Sequence, residues 1–260
     1  MRDTQALFTA VGDQLVPSEA ACSPWGELVG GGPVAGLLAR AVERITDDPD
    51  LFIARLTVDL MRPVPAKPLT VTAQPLRTGK RLQVSEAVLT VDGKPSARAT
   101  AQLLRRGEVD GVVPDVETPF AGPDGLPDGH LLPPELGLRW GVHDVIQVRW
   151  LEDQRATSTS KVWMHMPVPL LPGEALSPLA HVAVLVDCIS AASPVGPIFG
   201  PWINTDITLY LHRPFEGEWL GMEIDRDVQP TGIGVANARL YDERGLIGSA
   251  HEAVMVNQLG

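Results

Sequence analysis

Apolar and polar residues follow two periods along this chain, one helical and one strand-like, and the same succession of the two occurs twice. Between Gly30 and Ile45, Val34, Leu37, Leu38, Ala41 and Ile45 recur at helical spacing. Arg40, Glu43 and Arg44 fall elsewhere, and Asp47, Asp48 and Pro49 close the segment. The pattern predicts an amphipathic helix led by three glycines, Gly30 to Gly32. In LFIARLTVDLMRPV, Phe52, Ala54, Leu56, Val58 and Leu60 alternate with more polar neighbours, as in a half-buried strand. Leu69 to Leu76 predicts another strand. Gln83 to Val91 predicts a hairpin with Lys94 to Leu104 across Asp92-Gly93, a pair suited to a tight two-residue turn. A strand-like stretch from Leu7 to Leu15 precedes them.

From Gly107 to Gly137 the periodicity gives way to Pro, Gly and Asp. Pro114, Pro119, Pro123, Pro127, Pro133 and Pro134 argue against regular structure, so residues 107–139 read as a linker between units at 1–106 and 140–260. Beyond it VIQVRW and TSTSKVWMHM are strand-like, and Ser177 to Pro194 predicts a helix. INTDITLYLHRPF follows, then Ile233 to Tyr241 and Leu246 to Val256 on either side of a turn at Asp242 to Gly245. Met61-Arg62-Pro63 closes a strand in the first half and His212-Arg213-Pro214 closes one in the second. The corners Asp92-Gly93 and Arg244-Gly245 follow at similar distances. A helix, an Arg-Pro strand and a hairpin thus repeat at about 150 residues, too long for a solenoid and suited to a duplicated domain. One helix followed by long antiparallel strands, twice over, is what a sheet wrapped on a helix produces, an α+β fold.

The second helix, SPLAHVAVLVDCISAASP, carries Ser177 as an N-cap, Pro178 at the first helical position and Pro194 as a stop. It is apolar on every face, so other structure must enclose it, and it is too short to cross a bilayer. Asp187 stands in its middle. An unpaired buried charge is costly, so Asp187 is either a satisfied core carboxylate or a working group, and the segment alone leaves both readings open.

Charge narrows the choice of partners. The formal net charge of −11 over 260 residues opposes nucleic-acid binding. From Leu51 to Arg106, however, ten Lys or Arg stand against three Asp or Glu. That cluster, with Arg55, Arg62, Lys67, Arg77, Lys80 and Arg81, is either a solvated basic face or an attractor for an anionic small ligand. Cys22 and Cys188 have no metal-ligand spacing and read as reduced thiols. The N-terminus lacks an unbroken apolar run and no later segment is long enough to span a membrane, so the expectation is a cytoplasmic protein. No phosphate-binding loop, dinucleotide fingerprint, serine elbow or zinc motif is present, so neither a metal nor a resident cofactor is expected.

Together these segments resemble the acyl-CoA thioesterase II family, whose members carry two hotdog domains in one chain. VGGGPVAGLL is similar to that family's glycine-rich helix start, LFIARLTVDLMRPVPAKPLTV to its long Arg-Pro strand and VDGKPSARATAQL to its hairpin. KVWMHMPVPLLPGEALSPLAHVAVLVD resembles the Trp-bearing strand that leads into its Asp-containing helix. INTDITLYLHRPFEGEWL and DERGLIGSAHEAVM resemble the segments that complete its site. The resemblance implies a double hotdog fold and hydrolysis of acyl-CoA to free acid and coenzyme A. It also implies a site built from an Asp on the second helix, a Thr at the start of the His-Arg-Pro strand and a Gln just before a Glu in the last strand. The Asp falls on Asp187. The Thr position falls on Asn204, with Thr205 beside it, and the Gln position falls on His251, ahead of Glu252.

Asp187 would serve as the base and Asn204 or Thr205 would hold the water, since an amide and a hydroxyl both donate and accept. His251 would assist. Alternation in LIGSAHEAVMV puts it with Ile247, Ala253 and Met255, turned toward packed structure and, if that face adjoins Asp187, coupled to it. Gly30, Gly31 and Gly32 would offer helix-start N–H groups to a thioester oxygen or a phosphate, the other reading being a tight turn with positive φ. Arg62, Arg77, Lys80 and Arg81 are candidates for the coenzyme A phosphates. Two rival functions are a non-catalytic acyl-CoA binder and a hotdog enoyl-thioester hydratase. Hotdog sheet edges add the expectation of a homo-oligomer.

Overall fold

The computed structural model describes residues 5–111, 120–152, 159–192 and 202–257; Pro114, Pro119 and Pro194, read above as structure breakers, lie outside them. The first half holds β1 (Phe8–Val11), β2 (Gln14–Pro17), α1 (Gly31–Arg44), β3 (Leu51–Asp59), β4 (Leu69–Arg77), β5 (Leu82–Val91) and β6 (Lys94–Arg105). After the short β7 (Asp128–Gly129) and α2 (Val142–Val145) come β8 (Gln147–Glu152), β9 (Thr159–His165), α3 (Pro178–Val186) and α4 (Ile189–Ala192). The chain finishes with β10 (Trp202–Asn204), β11 (Asp206–Leu211), β12 (Leu220–Val228), β13 (Ile233–Asp242) and β14 (Gly245–Val256).

The strands form one sheet, ordered β1-β2-β4-β5-β6-β3-β11-β14-β13-β12-β9-β8-β7, with β10 added on β14. Counted outward from the central β3–β11 pair, one side reads β3, β6, β5, β4, β2, β1 and the other β11, β14, β13, β12, β9, β8. The strand order of the first half is repeated in the second, and the fold is a double hotdog. The Arg-Pro motifs do the same job in both halves. Arg62 Nη1 donates to the carbonyl of Pro95 at 3.1 Å beside the β5–β6 corner, where Asp92 and Gly93 take φ of 49° and 72°. Arg213 Nε donates to the carbonyl of Leu246 at 3.2 Å beside the β13–β14 corner.

The two long helices lie antiparallel in the core, α1 packing on β3 to β6 and on α3. Glycines make this possible: a Cβ on Gly32 would meet the Val184 carbonyl oxygen at 2.2 Å, and one on Gly36 would meet Val184 Cγ2 at 2.6 Å. Every residue of α3 from Leu179 to Val186 is buried. Two sequence readings are corrected. The Ser177 helix does not run through Asp187: α3 ends at Val186, Asp187 is its C-cap, and the one-turn α4 begins at Ile189. The proline-rich tract also has structure of its own, with β7 pairing β8, a 3₁₀ turn at Pro134–Leu136 and a buried Leu131 and Leu132. Among the described residues no helix is long and apolar enough to cross a membrane.

Candidate active site

The junction where α1 begins and α3 ends is built around Asp187. Gly31 and Gly32 approach so closely that a Cβ on Gly31 would meet Asp187 Oδ1 at 2.3 Å, and the Gly32 N–H donates to the carboxylate. None of Gly30, Gly31 or Gly32 has positive φ, so the glycine run serves close approach rather than a left-handed turn. The Asp187 carboxylate therefore takes the helix-start position expected for an external anion, with the α1 dipole in its favour. Burial nevertheless raises its pKa, against the lowering effect of the Asn204 and Gly32 hydrogen bonds. It keeps partial exposure because it looks into a cavity.

Asn204, at the end of β10, donates from Nδ2 to Asp187 Oδ1 at 2.8 Å and to Glu252 Oε1 at 3.2 Å. Glu252, on β14, is 1% exposed, and its second oxygen is hydrogen-bonded to the Ser190 hydroxyl. Burial and then the neighbouring Asp187 charge push the Glu252 pKa well up. The sequence reading did not assign Glu252 a role. A signal was available, because Ala250, Glu252 and Val254 share one parity in β14 and all three are buried.

The cavity has a volume of about 530 Å³ and lies on the seam of the two halves. Asp187, Asn204, Ser190 and Gly31 form its polar wall. Val29, Val34 and Leu60 face them from the first half, Leu131 and Leu132 from the connecting segment and Val142 from α2, and exposed Trp25, Met61 and Met255 form its rim. Mostly apolar walls with a few convergent polar groups suit a ligand with an apolar body and one reactive polar function. Cys188 also lines the cavity, but burial, together with the Asp187 and Glu252 charges, raises its pKa well above the usual thiol value, the wrong direction for a nucleophile.

Other sequence candidates separate from this cluster. Thr205 lines the cavity, but its hydroxyl donates to the Ala253 carbonyl at 3.3 Å. His251 is a correction: its ring pairs with Asn237 Oδ1 at 2.9 Å and Ser249 Oγ at 3.2 Å, and it projects from the face of β14 opposite Glu252. The alternation counted from Ile247 fails because the β13–β14 register shifts there, Leu240 pairing with Gly248 and Tyr241 with Leu246. Of the cations, Arg62 lines the cavity while strapping the β5–β6 corner. Arg77, Lys80 and Arg81 are exposed at the β4–β5 turn, where the Arg81 carbonyl accepts from the Arg105 N–H. Arg105 pairs with Leu51 at the start of β3, whereas the cavity adjoins Leu60 beyond its end. At about 3.3 Å per residue the two places are roughly 30 Å apart, so these three do not join the site.

The acyl-CoA thioesterase N-terminal domain family matches residues 21–104, and the acyl-CoA thioesterase C-terminal domain family matches residues 114–256. No curated protein sequence matches the chain. Solved structures share its fold. A hot dog fold protein of unknown function from Alicyclobacillus acidocaldarius is 18% identical, with TM-score 0.73, over 97% of this chain and 96% of that one. The tesB protein of Mycobacterium avium subs paratuberculosis is 14% identical, with TM-score 0.69, over 96% and 95%. Acyl-CoA thioesterase II TesB2 from Mycobacterium marinum is 18% identical, with TM-score 0.64, over 87% and 88%.

Proposed function

This chain belongs to the acyl-CoA thioesterase family, and we propose that it hydrolyses its thioester with a water activated by Asp187. The observation that carries this reading is the Asp187 carboxylate, held by the Gly32 N–H and the Asn204 amide and facing a mostly apolar cavity. The acyl group occupies the apolar walls and sets its carbonyl against the first turn of α1. N–H groups there have no intrahelical acceptor, and the Gly31 N–H can donate to the developing oxyanion. Asp187 takes a proton from the water as its oxygen bonds to the carbonyl carbon. Asn204, with Nδ2 committed to the carboxylates, offers Oδ1 to hold that water. As the C–S bond breaks, the sulfur leaves with the bonding pair and takes the proton from Asp187, giving free acid and coenzyme A thiol. The raised pKa of Asp187 makes it a stronger base, provided it is ionised at working pH.

Thiol release from short, medium, long and aromatic acyl-CoAs tests the proposal, with wild type beside Asp187→Asn. The Asn variant should fold normally and lose about two orders of magnitude in rate, the usual contribution of a general base. An unchanged rate removes Asp187 from the mechanism. Binding of coenzyme A without release from any substrate would make the chain a binder, and conversion of an enoyl thioester without free thiol would make it a hydratase.

A further inference from the structure

Glu252 has no part in the reaction just described, yet its carboxylate lies directly behind Asn204. One Asn204 nitrogen donates to Asp187 Oδ1 and Glu252 Oε1, so the two oxygens are within about 6 Å of each other, near enough for like charges to interact strongly. Glu252 does not line the cavity. Asn204 and Ser190 stand between it and any ligand, so it acts through them.

Taking the thioesterase reading as premise, we propose that Glu252 is a positioning residue that keeps a proton, so that the Asp187–Asn204–Glu252 cluster carries one negative charge, placed on Asp187. The hydrogen-bond pattern fits. Asn204 supplies two N–H donors to two acceptors, Oδ1 of Asp187 and Oε1 of Glu252. Oε2 of Glu252, paired with the Ser190 hydroxyl, then carries the proton, and Ser190 Oγ turns from donor to acceptor in that bond. The Ser190 hydroxyl is thereby freed to donate into the cavity that it lines.

Four ionisable groups face this carboxyl. Asp187 at the end of α3 and Asp206 of β11 oppose a charge on Glu252, and the neighbouring Cys188 adds none as a thiol. Arg226 of β12, whose Nη1 donates to the Ser190 carbonyl at 3.0 Å, favours one, as does the Ser190 backbone N–H. Burial is the largest influence and sides with the proton, because a second charge on a residue 1% exposed costs more than one cation and three dipoles, the Ser190 hydroxyl and N–H and the Asn204 amide, return. Two interacting carboxyls of this kind ionise in two separated steps.

The experiment is an infrared difference spectrum of wild type minus Glu252→Gln at neutral pH, with thiol-release pH profiles of wild type, Glu252→Gln and Glu252→Ala. The difference spectrum should show a protonated carboxyl C=O band. The wild-type kcat profile should show two inflections, and Glu252→Gln should remove the higher one. Glu252→Ala, which leaves Asn204 without its second acceptor, should lower kcat by roughly tenfold with little change in KM, an effect usual for supporting groups behind a site. Absence of the band, survival of the higher inflection in Glu252→Gln, or a Glu252→Gln loss as deep as that of Asp187→Asn would each overturn the proposal. If wild type releases no thiol from any acyl-CoA, the thioesterase reading fails, and the infrared band still decides where the proton sits.

Discussion

Thr57 of β3 and Thr208 of β11 face each other across the centre of the sheet, their hydroxyl oxygens 3.4 Å apart, and they stand 151 positions apart in the chain. The same interval carries Arg62 to Arg213 and Pro95 to Leu246, donor and acceptor of the two corner straps. A residue that faces its own repeat equivalent marks a pseudo-twofold axis, because only there does such a rotation set a position beside its copy. The axis relates the two ends of the α1–α3 pair. At one end Asp187 accepts from the start of α1. At the other Glu43 accepts from Ser177 Oγ, the N-cap of α3, at 2.6 Å. The Asp187 end holds Asn204, Glu252 and the large cavity. The Glu43 end holds a pocket of about 290 Å³, on whose wall Arg40 donates twice to Glu174 at 2.7 Å.

His251→Gln should leave thiol release within about twofold of wild type and the pH profile unmoved, since the ring bonds to Asn237 and Ser249 on the face of β14 away from the cavity. A lost inflection between about pH 6 and 8 would return His251 to the mechanism.

Gly31→Ala and Gly32→Ala should fail differently. The Gly31 Cβ would strike Asp187 Oδ1 at 2.3 Å, so kcat should fall sharply while the fold survives through movement of a side chain. The Gly32 Cβ would strike the Val184 carbonyl, backbone of the packed α3, so the main loss should be of stability, about 2 kcal/mol or more, as expected for overpacking. Urea titrations beside steady-state kinetics separate the two effects.

Asp242→Asn should destabilise the second half by about 3 kcal/mol, the cost of breaking a buried ion pair. The Asp242 side chain is 0% exposed, accepts from Arg213 Nη1 at 2.5 Å and Nη2 at 2.6 Å, and also takes the N–H groups of Arg244 and Glu216. Burial alone would raise its pKa, but these donors outweigh it and hold the carboxyl below its usual range. Its contribution to stability is therefore present above the unfolded carboxyl value and lost as pH falls through the depressed one. Chemical denaturation at neutral and strongly acid pH should show the variant and wild type converging in acid.

His181 should make the fold acid-sensitive. Burial, then the neighbouring His165 charge, lowers its pKa from 6.5 to about 4, against a hydrogen bond to the Glu218 carbonyl; its ring stacks on Phe215 with centroids 5.1 Å apart. A depressed histidine costs nothing above the unfolded value. Below it the unfolded chain takes a proton that the folded chain refuses, so stability falls progressively between pH 6.5 and about 4, by about 3 kcal/mol in all. His181→Phe should flatten that limb in denaturant titrations at pH 7.5 and 5. An unchanged slope would assign the acid limb to other groups.

The two helix starts, most of the strands, the repeat of elements and a lone carboxylate at Asp187 were legible along the chain, because each of these is written in local terms. Side-chain period, turn chemistry at Asp92-Gly93 and a lone carboxylate in an apolar run need no knowledge of what lies across the fold. The family resemblance, counted back from His212, pointed to Asn204, whose amide donates to Asp187. What surrounds Asp187 depends on contacts between distant segments. Glu252 is 65 positions away and reaches it through Asn204, Gly31 and Gly32 serve as a gap for a carboxylate from the other half, and Leu131 and Leu132 of the proline-rich tract wall the cavity. His251 and Glu252 are adjacent in sequence and opposite in space, and a single register shift in β14 was enough to reverse the face inferred from alternation. The physical reason is that a strand's period of two fixes which residues share a face, while bulges and the pairing of distant strands fix which face meets the core.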